Sequence, residues 1–348
     1  MKKADFCEFS PSGAKAPPIL AAFVRAKART LPTFSLFSKN DPNAIALPGR
    51  LPSKVTMPAK PKLGQNFLND SQAIQRIAAA IGDCSGRTVV EIGPGQGAIT
   101  GALAARAAHV VAVELDPEMA AWIRAEFPPE KVTVIGQDVL AFDFATAARD
   151  FPNAPQAGSD RLLVVGNLPY YITSQILFKL AASHASIDRA VLMVQREVAD
   201  RVTAEPGSRD YGLLSVSVQM HGPAQNLFTL PPSAFTPPPD VHSTVFRWRF
   251  APRFAELGVE ELPFTLFLRS VFAQKRKTVS NNLRAASISP AAIVSALERA
   301  GIPAQARAEA LSIEELAGLW RELNREKAAP EIEAALLSLS LDPDASAG

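Results

Sequence analysis

Val89-Val90-Glu91-Ile92-Gly93-Pro94-Gly95-Gln96-Gly97 is a β-branched apolar run that passes directly into three glycines at alternate positions. Such a run favours a buried strand, and the glycines let the backbone turn sharply and approach a ligand closely. Residues 98–108 are rich in alanine and lack proline, which predicts a helix at once. His109 to Val113 predicts a second strand, ending on Glu114-Leu115-Asp116. The unit is therefore strand, glycine turn, helix and strand, with an acid at the tip of the second strand.

Two kinds of nucleotide-like ligand use this unit. A dinucleotide fold requires Gly-x-Gly-x-x-Gly, which sets a helix N-terminus against a pyrophosphate. Here the spacing is Gly-x-Gly-x-Gly, with Glu91 before it. S-adenosylmethionine carries no phosphate, so it needs only close backbone approach, which Gly93 and Gly95 offer, and an acid for its ribose hydroxyls, where Glu114 stands. A tight turn in any doubly wound sheet is the plain alternative.

The 348 residues allow two domains, and no stretch is long and apolar enough to span a bilayer. The net charge of +2 is unevenly spread: residues 1–62 hold eleven Lys or Arg against three Asp or Glu, a balance of +8, which leaves −6 for the remainder. Any basic partner surface is local. Cys7 and Cys84 form no Cys-x-x-Cys pair, and His109, His184, His221 and His242 are scattered along the chain, so neither a disulfide framework nor a metal enzyme is expected.

Residues 1–56 carry frequent prolines and no lasting period, and are read as a disordered leader. A basic arm, a targeting segment and sequence upstream of an initiator at Met57 compete as explanations; an upstream start or a dispensable arm is preferred. Gly64-Gln65-Asn66-Phe67-Leu68 reads on spacing alone as a helix lead-in with core plugs. Val132 to Ile135 predicts a strand that ends in Gln137-Asp138, placing a third acid at the ligand-binding edge of an open sheet, with helix capping as the alternative. Residues 145–160 read as a loop.

Leu162 to Val165 predicts the next buried strand, which delivers Asn167-Leu168-Pro169-Tyr170. An adenine amine needs two acceptors for its hydrogens and a platform for its ring. The Asn167 side-chain oxygen and the Leu168 or Pro169 carbonyl supply the acceptors, and Tyr170 supplies a flat face. Phe235, between two proline clusters, is expected outside the core as a second stacking face, and the loop at 207–212 is a candidate cover for the site. From about Leu262 only helices are expected. Lys275, Arg276 and Lys277 lie on and after one of them, with Gln274, Asn281 and Asn282 adding hydrogen-bonding groups.

Together these residues make the sequence resemble the ribosomal RNA adenine dimethyltransferases over roughly residues 60–326. The motifs are Gly64 to Leu68, Glu91 to Gly97, Glu114 to Asp116, Gln137-Asp138, Asn167 to Tyr170, and Phe235 in its proline-rich loop. Phe272-x-Gln274-Lys275-Arg276-Lys277-x-x-x-Asn281-Asn282-Leu283 is similar to the branch that dimethylates two adjacent adenosines near the 3′ end of 16S rRNA. The resemblance implies a Rossmann-like α/β methyltransferase sheet over 57–252, a small all-helical RNA-binding domain over 253–326 and a flexible tail at 327–348. It also implies donor binding by Asn66, Leu68, Gly93, Glu114, Asp138 and Asn167, with Asp138 facing the donor's adenine amine. The substrate is then 16S rRNA in the small subunit or its precursor, contacted by Tyr170, Phe235, Lys275, Arg276 and Lys277. No metal, membrane or DNA partner is expected, and the chain is expected to be monomeric and cytoplasmic.

Chemically, the reaction expected is in-line displacement at a sulfonium methyl, driven by positioning and electrostatics rather than by a strong base. The base must be flipped out, and stacking worth about 1–3 kcal/mol per base offsets that cost. A DNA adenine methyltransferase, a non-catalytic RNA-binding factor and, more distantly, a dinucleotide oxidoreductase are the competing classes. Because residues 1–56 precede every motif, a chain truncated to start at Met57 is expected to fold, by circular dichroism, and to methylate small subunits; a folded but inactive truncation would show that the leader delivers substrate.

Overall fold

The computed structural model describes residues 66–154 and 158–325; the leader at 1–56 and the tail at 327–348 lie outside them. In chain order the first half runs β1 (Phe67–Leu68), α1 (Ser71–Ala80), β2 (Thr88–Ile92), α2 (Ala98–Ala104), β3 (His109–Glu114), α3 (Pro117–Glu126), β4 (Val132–Gly136), α4 (Phe144–Asp150) and β5 (Leu162–Asn167). Then come α5 (Thr173–Ala182), β6 (Ile187–Gln195), α6 (Arg196–Val202), α7 (Leu213–Met220), β7 (Ala224–Leu230), β8 (Phe235–Thr236) and β9 (Ser243–Arg249). The last segment is helical: α8 (Glu261–Val271), α9 (Val279–Ala285), α10 (Pro290–Arg299) and α11 (Ile313–Arg325).

Seven strands form one sheet in the order β4-β3-β2-β5-β6-β9-β7, parallel from β4 to β6 and antiparallel where β9 joins β6 and β7 joins β9. The chain runs outward from β2 to β4, then returns to place β5 on the other side of β2. This reversal opens a crevice at the C-terminal ends of β2 and β5, the place where open α/β sheets bind ligands. Both faces of the sheet are covered, which is why β2 is buried at every position rather than at alternate ones. Successive residues serve opposite faces: Val89, Val110 and Leu163 enter one core, while Val90, Val111 and Val164 enter the other.

Helix starts follow the chain's short polar residues. Asp70 accepts from the Gln72 and Ala73 amides, and Asp116 accepts from Glu118 N ahead of Pro117, removing donors that the first turn leaves unpaired. Asp143 does the same for Ala145 and Thr146 at 2.9 and 3.2 Å. That cap overturns the loop expected over 145–160. Its first third is α4, whose Phe144 and Ala147 are buried; the prolines that marked it as irregular lie beyond the helix.

The helical segment has its own core, which includes Phe264, Phe267, Leu283, Ile293 and Trp320 and reaches back to Ala204, Tyr211, Val216 and Met220. The loop at 207–212 therefore belongs here and does not line the crevice. Tyr211 is buried in this core, and Gly207 N donates to Glu309 O at 2.7 Å. Lys275, Arg276 and Lys277 are all exposed, but they sit in the turn between α8 and α9 rather than on a helix. Asn282 faces inward, not toward a ligand: its Nδ2 donates to the carbonyls of Val271 at 2.6 Å and Gln274 at 3.3 Å, tying the basic turn closed at its base. Removing a buried donor of this kind costs about 1–3 kcal/mol. Asn282→Ala is expected to lower the unfolding free energy by that amount, read as a lower urea midpoint at unchanged slope, and an unchanged midpoint would show that the turn is held by other contacts.

Candidate active site

The crevice is a cavity of about 250 Å³, lined by residues from the ends of β2, β3, β4 and β5 and from β1. Gly93, Gly95 and Gly97 turn the chain at its floor with φ of 64°, 54° and 85°, a region that side chains rarely adopt. At Gly95 an added Cβ would also meet the Phe67 ring at 3.1 Å, so the turn has the clearance of glycine and no more.

Glu114 is buried at the tip of β3. Its Oε2 accepts from Gly95 N at 3.2 Å and its Oε1 from Asp116 N at 2.9 Å, so it braces the glycine turn while facing the cavity. Burial raises its carboxyl above the ordinary range, against the pull of these amides. Glu91 is more deeply buried, and burial pushes it up to about 7, countered by the Thr100 hydroxyl and assisted by the charge of Glu114. Glu91 Oε2 and Thr100 Oγ1 are outside hydrogen-bond geometry, which leaves an unpartnered carboxyl oxygen beside the cavity. Asp138 uses Oδ1 to accept from Leu140 N at 2.9 Å and also lines the cavity. It caps a turn and not a helix, so the helix-capping alternative does not hold.

On the opposite wall, Asn167 Nδ2 donates to Asn66 O at 3.1 Å. With the amide nitrogen held there, the side-chain oxygen is the remaining acceptor. Two carbonyls follow it, and they differ: Pro169 O accepts from Thr173 Oγ1 at 2.9 Å and Ile172 N at 3.3 Å, whereas Leu168 O takes no bond from the described residues. Tyr170 is half-buried, with its hydroxyl 2.8 Å from Ser243 Oγ, which fixes the ring against β9. Burial raises that phenol above its usual value, outweighing the Ser243 contact.

The residues 64–68 motif is both core and site. Leu68 is buried, and Asn66, Phe67 and Leu68 all line the cavity; Gly64 and Gln65 lie outside the described residues. Phe235 departs from expectation. It is 3% exposed, packs in the core with Leu68 and Val245, and pairs with Leu68 in the short β1–β8 ladder. The flanking prolines misled the reading, because they end the neighbouring segments without pushing the ring outward. Tyr171, not singled out from the sequence, lines the cavity and is 63% exposed. Its signal was adjacency to Tyr170. Lys275, Arg276 and Lys277 do not line the cavity.

Residues 57–325 match the family model described as ribosomal RNA adenine dimethylase. The chain is 56% identical over 282 residues to a ribosomal RNA small subunit methyltransferase A from Acidobacterium capsulatum, covering 79% of this chain and 97% of that relative. It is 46% identical to the protein of the same description from Koribacter versatilis, covering 80% of this chain and all of the relative. Among solved structures, a dimethyladenosine transferase from Plasmodium falciparum superposes with a TM-score of 0.62 at 23% identity, over 75% of this chain and 98% of that one, a likeness of fold. The 23S rRNA methyltransferase ErmE follows with a TM-score of 0.54 at 25% identity, over 74% and 100%. With a family model spanning most of its length and close relatives matched almost end to end, the chain belongs to the ribosomal RNA adenine dimethylase family.

Proposed function

We propose that the chain transfers methyl groups from S-adenosylmethionine to the N6 amines of two adjacent adenosines near the 3′ end of 16S rRNA, giving N6,N6-dimethyladenosines in the small subunit or its precursor. The observation that carries this reading is the acceptor pair at the end of β5: the Asn167 amide is pinned through its nitrogen, and the Leu168 carbonyl takes no donor from the described residues.

The cavity suits the donor in chemical terms. Its floor is a glycine turn with room for close backbone approach, an acid stands at the tip of β3, Asp138 has a second oxygen to offer, and Glu91 presents an unpartnered carboxyl oxygen. When bound, the donor supplies a methyl group made electrophilic by its sulfonium. Glu114 and Asp138 hold the nucleoside end by accepting hydrogen bonds, and Gly93, Asn66 and Leu68 shape the wall. Asn167 Oδ1 and Leu168 O accept the two N6 hydrogens from one side, which aims the nitrogen lone pair away from the ring plane. Between the two carbonyls weighed from the sequence, hydrogen bonding favours Leu168, and Pro169 then shapes the turn. In the second transfer one N–H remains, so one acceptor suffices. The N6 proton leaves to solvent, with positioning as the main contribution.

Tyr170 offers a fixed stacking face for the flipped base and Tyr171 an open one; Phe235 could stack only after the β1–β8 pair shifts. A monomer acting in the cytoplasm, where the small subunit is the substrate, is part of the proposal. No helix among the described residues is long and apolar enough to cross a membrane.

Asn167→Ala is expected to lower turnover on small subunits by about a hundredfold or more, the scale of losing a contact made in the transition state. Donor affinity, read by calorimetry, should fall much less; near-normal turnover would remove Asn167 from the reaction. For RNA, the exposed turn of Lys275, Arg276 and Lys277 is the proposed phosphate contact. Each contact removed should flatten the slope of log affinity against log salt by about 0.7–0.9. The triple alanine variant is expected to bind small subunits more weakly and with a shallower slope, and an unaltered slope would place the RNA elsewhere.

A further inference from the structure

The four histidines are far apart in sequence, yet the fold gathers two of them with an acid away from the methyl-transfer pocket. His184 lies in the turn after α5, His221 is the residue that ends α7, and Glu261 opens α8. His184 Nε2 is 3.1 Å from Glu261 Oε2 and His221 Nε2 is 3.6 Å from Glu261 Oε1, although His184 and Glu261 are 77 positions apart. One potential ligand atom from each residue can be chosen so that all lie within 4.8 Å of one another. None of the three lines the cavity described above.

We propose that His184, His221 and Glu261 form a binding site for a divalent transition metal of the zinc type, joining α5 and α7 of the sheet layer to α8 of the helical segment.

The chemistry of His221 carries the argument. Its Nδ1 is 2.7 Å from the Ser217 carbonyl, which can only accept, so Nδ1 holds the ring proton and Nε2 presents a lone pair. That lone pair faces a carboxylate oxygen at 3.6 Å, an unfavourable pairing for a neutral ring unless a cation lies between them. A carbonyl behind Nδ1 is also the outer-sphere partner that orients metal-binding histidines and fixes their tautomer. Ring contacts with Trp248 and Phe254 hold His221 in place. The separations suit the ion as well. Ligands about 2.0–2.1 Å from zinc in a tetrahedron stand roughly 3.3 Å apart; here Glu261 Oε2 is 3.1 Å from His184 Nε2, its Oε1 is 3.6 Å from His221 Nε2, and the three ligand atoms lie within 4.8 Å of one another, so small side-chain rotations gather them round one ion. Two imidazoles and a carboxylate leave the fourth position to water, and the partial exposure of His184 and Glu261 gives an entry path. On binding, the ring proton that His184 Nε2 gives to Glu261 is exchanged through solvent for one on Nδ1, so the neutral ring changes tautomer and Nε2 becomes the ligand.

The rival reading is an ion pair that needs no metal. To separate them, the untagged full-length chain is stripped with a chelator and titrated with Zn²⁺ against a chromophoric competitor, and its melting temperature is followed. One Zn²⁺ per chain and a zinc-dependent rise in melting temperature are expected. His184→Ala and Glu261→Gln, both at partly exposed positions, should each weaken uptake at least tenfold and abolish the rise. His221 is too tightly packed to serve as the first variant. Absence of stoichiometric uptake, or undiminished uptake in either variant, would overturn the site.

Discussion

The bond from the Gly95 amide to Glu114 Oε2 joins the ends of β2 and β3, and the rest of the site is built around that join. A glycine turn is cheap to bend and entropically expensive to hold. Here a buried carboxyl holds it, and the same carboxyl's other oxygen secures the amide of Asp116, the residue that caps α3. One side chain thus braces the floor of the pocket and the start of the next helix. Burial disfavours its charge, while the amides, and a ligand hydroxyl when one is bound, favour it.

The opposite wall follows a similar logic. The Asn167 amide could rotate freely at a strand end, but the Asn66 carbonyl takes its nitrogen and so directs its oxygen. That carbonyl sits immediately before β1, which is anchored by pairing with β8. Phe235 therefore contributes to the site through structure: its burial beside Leu68 keeps the β1 segment against the pocket. The helical segment is similarly bound to the sheet layer, since Ala204, Tyr211, Val216 and Met220 enter its core.

Much of this was legible in the sequence because it is local. Strand tips, glycine turns, Asp116-Pro117 and Asn167-Leu168-Pro169-Tyr170 state their geometry within a few residues, and the parallel sheet follows from the β-turn-α-β spacing. What was hidden depends on distant partners. Phe235 reads as exposed until β8 meets β1. Asn282 reads as a surface group until α9 folds back over the α8 turn, and residues 207–212 read as a pocket cover until Tyr211 finds the helical core. The α4 helix was missed for a local reason, the weight given to prolines beyond it and not to Asp143 before it. The pairing of His184 with His221 has no signal in spacing, because it arises where two helix ends converge.

The central claim is that this pocket delivers methyl groups to paired adenosines of the small-subunit RNA. Mass spectrometry of 16S rRNA nucleosides and fragments from cells lacking the chain, and from the same cells supplied with it, tests this most directly. The account predicts that two adjacent N6,N6-dimethyladenosines near the 3′ end are missing in the first and restored in the second. Equal dimethyladenosine content in both would contradict it.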